Sequence, residues 1–215
     1  MSDVFREIEE DLRTDQLKRL AKRFGPYVAI IVILVIAGVG GYSIYQSSQQ
    51  EAREEAGAAF AAALAEAREG ETAGALLALD EEASTGDGGF RILAAFAAAE
   101  IRSENDDPEG AIAGWRALAK DSEAGQPLQD VALILAVMHA MNGDEPLAAL
   151  EGELAPLADS DRPLSHMARE LTALLALEQG DEARAKDLLT ALSQDPNSPV
   201  GLRGRVNQLL DALGS

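Results

Sequence analysis

A period of 36–37 residues runs through this chain and constrains its fold more than any other feature. Three turn-forming triplets, Asn105-Asp106-Asp107, Asn142-Gly143-Asp144 and Gln179-Gly180-Asp181, end on aspartates 37 residues apart. Four residues beyond each, Ala111, Ala148 and Ala185 keep the same spacing. An earlier copy begins at Gly70-Glu71, and its Ala75 stands 36 residues before Ala111. Between these marks, Pro127-Leu128, Pro163-Leu164 and Pro199-Val200 recur every 36 residues. A period of this length describes one supersecondary unit that cannot bury its apolar face alone, so its copies must stack. Aromatics make up only 4% of the residues, and alanine and leucine supply most of the apolar content. Both favour helix, so the expected class is all-α.

Each unit reads as helix, turn, helix. The first helix carries an apolar stripe, such as Leu133, Ile134, Val137 and Met138, or Leu171, Leu174 and Leu175. A Gly or Asn ends it, where a left-handed backbone costs little. The acidic residue that follows, Asp107, Asp144 or Asp181, is expected to cap the second helix. Ala111, Ala148 and Ala185 are expected to let the paired helices approach closely. Proline is expected to mark the exit, since it cannot continue a helix. The segments NGDEPLAAL, EQGDEARAKDLL and DPNSP resemble the turns and second helices of the tetratricopeptide repeat. The period exceeds the usual one of that family, and most of its aromatic positions are missing; Trp115 is the sole tryptophan. The resemblance implies a right-handed α-solenoid. We expect four hairpins, at 50–84, 88–121, 126–158 and 162–194, and a capping helix at 198–213.

A second feature sets the layout. Tyr27–Tyr45, YVAIIVILVIAGVGGYSIY, holds no charge over 19 residues. At about 1.5 Å per residue this spans a hydrocarbon core of roughly 30 Å. Tyr27 lies at one end and Tyr42 and Tyr45 at the other, where amphipathic aromatics favour the membrane interface. Lys18, Arg19, Lys22 and Arg23 precede the run, and few bases follow it. The positive-inside bias then puts the amino terminus in the cytoplasm and the rest in the periplasm of a bacterial inner membrane. Three parts are expected: a charged amphipathic head (1–26), a single transmembrane helix (27–45) and a periplasmic repeat domain (46–215).

Charge supports this division. The head carries six bases and six acids, so the full net charge of −19 lies beyond it. A body this acidic repels nucleic acid and anionic lipid. There is no cysteine, hence no disulfide framework and no thiolate metal site. His139 and His166 sit in different hairpins without partners at metal-ligand spacing, so structural roles are expected for both. Gly86–Gly89 has no preceding strand and no following Lys-Ser, and reads as a linker rather than a phosphate loop. Neither a catalytic role nor a cofactor is expected.

The whole layout resembles the YfgM-like family, most of all its alphaproteobacterial members in the head DVFREIEEDLRTDQLKRLAKRFGPY and the span after it. That resemblance implies an ancillary subunit of the Sec translocon that associates with a membrane-anchored periplasmic chaperone. Its partners would be proteins, with the bilayer touched through one span, and with no nucleic acid or small-molecule substrate. The other reading is a structural organiser of an envelope complex for cell division or cell-wall synthesis. The sequence alone assigns no partner-binding residues.

Overall fold

The computed structural model describes residues 50–86 and 88–214. The chain divides into two compact units, Met1–Glu55 and Ala56–Ser215. Of the first unit, residues 50–55 are described and are helical. The expected head and the span Tyr27–Tyr45, with Tyr27, Tyr42 and Tyr45, lie outside the described residues. No described helix is long and apolar enough to cross a membrane.

Within the second unit the described residues contain helices and no strand. They are α1 (56–68), α2 (Thr72–Thr85), α3 (Gly88–Glu104), α4 (Pro108–Lys120), α5 (Gln126–Ala140), α6 (Leu147–Ala158), α7 (Ser165–Glu178), α8 (Glu182–Gln194) and α9 (Val200–Gly214). Helices α1 to α8 form four antiparallel hairpins, and α9 follows alone.

Three of the four hairpin turns share one device. The first helix ends on a left-handed residue: Gly70 (φ 89°), Asp106 (φ 59°) or Gly180 (φ 79°). The next N–H then donates back five residues, Glu71 to the Glu66 carbonyl, Asp107 to Arg102 and Asp181 to Ala176, at 2.9–3.0 Å. This satisfies carbonyls that the helix end would leave bare. Asp107 and Asp181 also accept a hydrogen bond from a first-turn amide, that of Gly110 at 2.9 Å and of Arg184 at 3.1 Å. The left-handed position in the second of these turns is Asp106, not Asn105.

The α5–α6 turn differs. Gly143 lacks a positive φ, and α6 begins only at Leu147, with Pro146 before it and no side-chain cap. Asp144 therefore lies in the turn but does not cap the helix. The cause is Pro146, which disfavours helical backbone at Glu145 and delays the helix by two residues relative to the repeat. The delay rotates the helix face. Ala111 and Ala185, fourth residues of their helices, are fully buried, whereas Ala148 is exposed. Leu150 is the fourth residue of α6 and is buried in its place. The prolines between hairpins also play another part than the expected exit. Pro127 lies in the first turn of α5, and Pro163 and Pro199 stand just before α7 and α9. Each opens the next helix, where a missing N–H costs nothing.

The core is a row of clusters, each seating a second helix on the first helix that follows. Leu79 of α2 packs with Ala94, Ala98 and Ile101 of α3. Trp115 and Leu118 of α4 pack with Ala132 and Ala136 of α5. Leu150, Leu154 and Leu157 of α6 pack with Ala168, Leu171 and Leu175 of α7. Leu189 and Leu192 of α8 pack with Leu202 and Val206 of α9. Alanines on one side and large side chains on the other keep the helices close.

Two glycine substitutions are expected to act in opposite directions. Gly180→Ala forces a Cβ into left-handed backbone and should cost about 1 kcal/mol. Gly204 sits inside α9, and a methyl group added there meets open space. Gly204→Ala should therefore add roughly 0.5–1 kcal/mol. Thermal melts of the two variants check both signs.

Candidate partner-binding surface

Polar side chains tie each hairpin to the next at separations close to the repeat period. Along the second helices, Arg116 of α4 donates to Glu153 of α6 at 2.8 and 3.1 Å and, as a fork, to Glu145 at 2.7 and 2.9 Å. Arg184 of α8 pairs with Glu151 of α6 through both carboxylate oxygens. Along the first helices, Ser103 of α3 meets His139 of α5 at 3.1 Å. Arg162, just before α7, donates to Asp130 of α5 at 2.5 Å, and Arg205 of α9 holds Glu170 of α7 at 2.7 and 3.1 Å. First helices thus lie beside first helices, and second beside second.

Both histidines serve this lattice. The His139 ring packs on Trp115, with ring centroids 4.4 Å apart. His166 Nε2 lies 2.9 Å from Asp195 Oδ2 in the turn after α8.

The pairing favours the ionised form of both partners, lowering the carboxyls and raising the arginine. The hydrogen bonds from Arg116 hold the Glu145 carboxyl below the usual carboxylate range, and those from Arg184 do the same to Glu151. Asp121 is lowered first by the backbone N–H of Glu123 and then by Arg91, and Asp195 by the N–H of Asn197 and then by His166. Arg116 is raised in turn, chiefly by Glu145. Among the described residues ion pairs consume most of the arginines.

Against this acidic exterior, large apolar side chains are exposed singly at Leu77 of α2 and Val200 of α9, and as a group on α3 and α5. Exposed Leu93 lies on α3, and exposed Leu128, Val131 and Met138 lie on α5. The last three recur at helical spacing along one face, and α3 and α5 are neighbours through Ser103–His139. The only carboxylate on α5, Asp130, is buried. A separate groove of about 440 Å³ lies between α4, α5 and α6, on another face of α5 from the stripe. Its floor is Leu133, Ala119 and Pro156, and its walls carry Gln126, Gln129, Lys120 and the paired Arg116–Glu153 and Arg162–Asp130. Amides and neutralised pairs over an apolar floor suit a polypeptide segment, with side chains in the groove and backbone groups on the amides.

The profile of the tetratricopeptide repeat-like domain matches residues 18–186. The chain belongs to this family. No curated protein and no solved structure matches it. A tetratricopeptide-like all-α fold is typically a non-enzymatic scaffold for binding proteins.

Of the residues expected from the period, Asp107, Asp144 and Asp181 lie in the turns, Ala111 and Ala185 are buried between helices, and Ala148 is exposed on α6. The exposed apolar surface is instead made by Leu93, Leu128 and Val131, with Met138 from the stripe on α5 that the helical pattern assigns to packing. One signal in the sequence points to the ion pairs that tie hairpin to hairpin: Arg116 and Glu153, like Glu170 and Arg205, stand 35–37 residues apart.

The side chain of Asp130 is 4% exposed and is held by Arg162 and Gln126. Arg162→Met strands that carboxylate and should cost about 2–3 kcal/mol, while adding Asp130→Asn should recover part of the loss. Urea denaturation of the single and double variants measures the coupling. Acid should loosen the stack as well. The folded-state carboxyls of Glu145 and Glu151 bind protons less readily than the unfolded ones. Their contribution is whole above the ordinary carboxylate range, near pH ~4, and is lost as pH falls through and beneath it. Denaturation midpoints against pH should show a shallower acid limb in Glu145→Gln and Glu151→Gln.

Proposed function

We propose that this chain is an inner-membrane-anchored periplasmic scaffold, ancillary to the Sec translocon, whose α3/α5 surface docks a membrane-anchored periplasmic chaperone. The observation that carries the reading is the neutral apolar stripe of Leu93, Leu128, Val131 and Met138 on a tetratricopeptide-like stack in a chain of net charge −19. An exposed row of large apolar side chains marks an interaction site. The anchor rests on the uncharged run Tyr27–Tyr45 and the bases before it. The link to secretion rests on the YfgM-like layout of head, span and acidic repeat body.

The mechanism is tethering. The span holds the scaffold beside the translocon, and the repeat surface raises the local concentration of the chaperone where a chain emerges. Photo-crosslinkers in the full-length protein in cells test this. One placed at Val131 is expected to capture the chaperone, and one at Val35 in the span a translocon subunit. Val131→Glu should abolish the first adduct and leave the second. Adducts to neither kind of protein refute the reading, and a midcell band of the tagged protein favours a division-site organiser instead.

A further inference from the structure

The groove between α4, α5 and α6 presents one unmatched charge and a set of unmatched acceptors. Arg162 holds Asp130, and Arg116 holds both Glu145 and Glu153. Lys120, one turn beyond Arg116 on α4, also lines the groove and makes no ion pair among the described residues. The acceptors stand on two walls. Gln126 and Gln129 donate their amide nitrogens to Asp130 and to the Asp121 carbonyl, at 3.1 and 2.6 Å, which leaves each Oε1 to accept. On the facing wall Gly152 lines the groove with backbone, since it has no side chain. Pro156 stands four residues later inside α6 and has no N–H to return to the Gly152 carbonyl.

We infer that this groove binds an extended segment of a partner protein in which an aliphatic residue stands beside an aspartate or glutamate. Each part of such a segment answers a feature of the groove. Its backbone N–H groups donate to the glutamine oxygens and to the Gly152 carbonyl. Its aliphatic side chain covers Leu133, Ala119 and Pro156. Its carboxylate pairs with Lys120, a charge-assisted contact stronger than a neutral hydrogen bond. A helix frees N–H groups only in its first turn, so the row of acceptors selects an extended chain.

The net charge of −19 does not exclude an acidic segment from this place. The field of the whole body is screened over about 8 Å at physiological salt, whereas Lys120 is met at contact. The carboxylates that would oppose the segment, Glu145, Glu153 and Asp130, are already held by Arg116 and Arg162. The volume of about 440 Å³ falls within the range of specific ligand sites and takes a short segment rather than a domain. The groove lies on another face of α5 from Leu128, Val131 and Met138, so it stands whatever the α3/α5 surface binds.

The test selects random peptides, displayed on phage without a free carboxyl terminus, on the full-length protein in mild detergent, with Gly152→Leu as counter-selection. A Cβ added at Gly152 meets open space, so leucine there fills the groove while α6 keeps its fold. The enriched peptides are expected to share an aliphatic residue beside an acidic one. Made as amidated, labelled peptides and followed by fluorescence anisotropy, they should bind the parent saturably and Gly152→Leu not at all. Lys120→Glu should bind about tenfold more weakly, and exchanging the acidic residue of the peptide for Lys should restore binding to that variant. Val131→Glu should bind as the parent does, and circular dichroism melts establish that each variant is folded. Four results would overturn the inference: no enrichment over the counter-selection, enrichment of Lys- and Arg-rich peptides, parental affinity in Lys120→Glu or in Gly152→Leu, or a dimer of the parent that Gly152→Leu converts to monomer.

Discussion

No hairpin of this protein can bury its own apolar face, and everything else in the structure follows from that constraint. Leu79, Trp115, Leu154 and Leu189 are each fully buried, and each is covered in part by a helix from the next unit. Stability is therefore spread along the row as a series of neighbour contacts. The same dependence explains the carboxyl end. Among the described residues the row closes on α9, which turns Asn207, Gln208 and Asp211 outward.

Electrostatics reinforce the row without steering its pattern. Half-exposed ion pairs in water contribute modestly, roughly 0.2–1 kcal/mol each. Their greater effect here is geometric. The forked Arg116 spans Glu145 and Glu153, and Arg184 grips Glu151, so the second helices are held at a set offset. Arg162 neutralises Asp130, which allows α5 to bury a carboxylate while its outer face stays uncharged.

The one irregular hairpin borders the groove between α4, α5 and α6. Pro146 delays α6, rotates its face and puts Leu150 where the period expects Ala148. A leucine between the helices holds them further apart than an alanine, and Pro156 within α6 leaves a carbonyl of the preceding turn without its usual amide. The 440 Å³ groove opens along the same helix.

The helical class, the hairpin boundaries and the turns at Asp107 and Asp181 are legible in the sequence, because period, capping and left-handed glycines are local matters of backbone chemistry. The hairpins expected at 88–121 and 126–158 are α3–α4 and α5–α6 within a residue or so at each end. The turn at Asp144 departs from expectation because the repeat suggests a cap while the proline two residues later forbids it. The exposed stripe is not legible, since Leu133 and Val131 look alike in a helical pattern. Only the seating of α4 and α6 against α5 decides that one is a groove floor and the other faces outward. By itself, then, the sequence determined a chain of stacked helical hairpins and where each turns, because those rest on neighbours within a few residues. The tertiary structure alone decided which apolar faces stay uncovered, because burial depends on helices some 35 residues away.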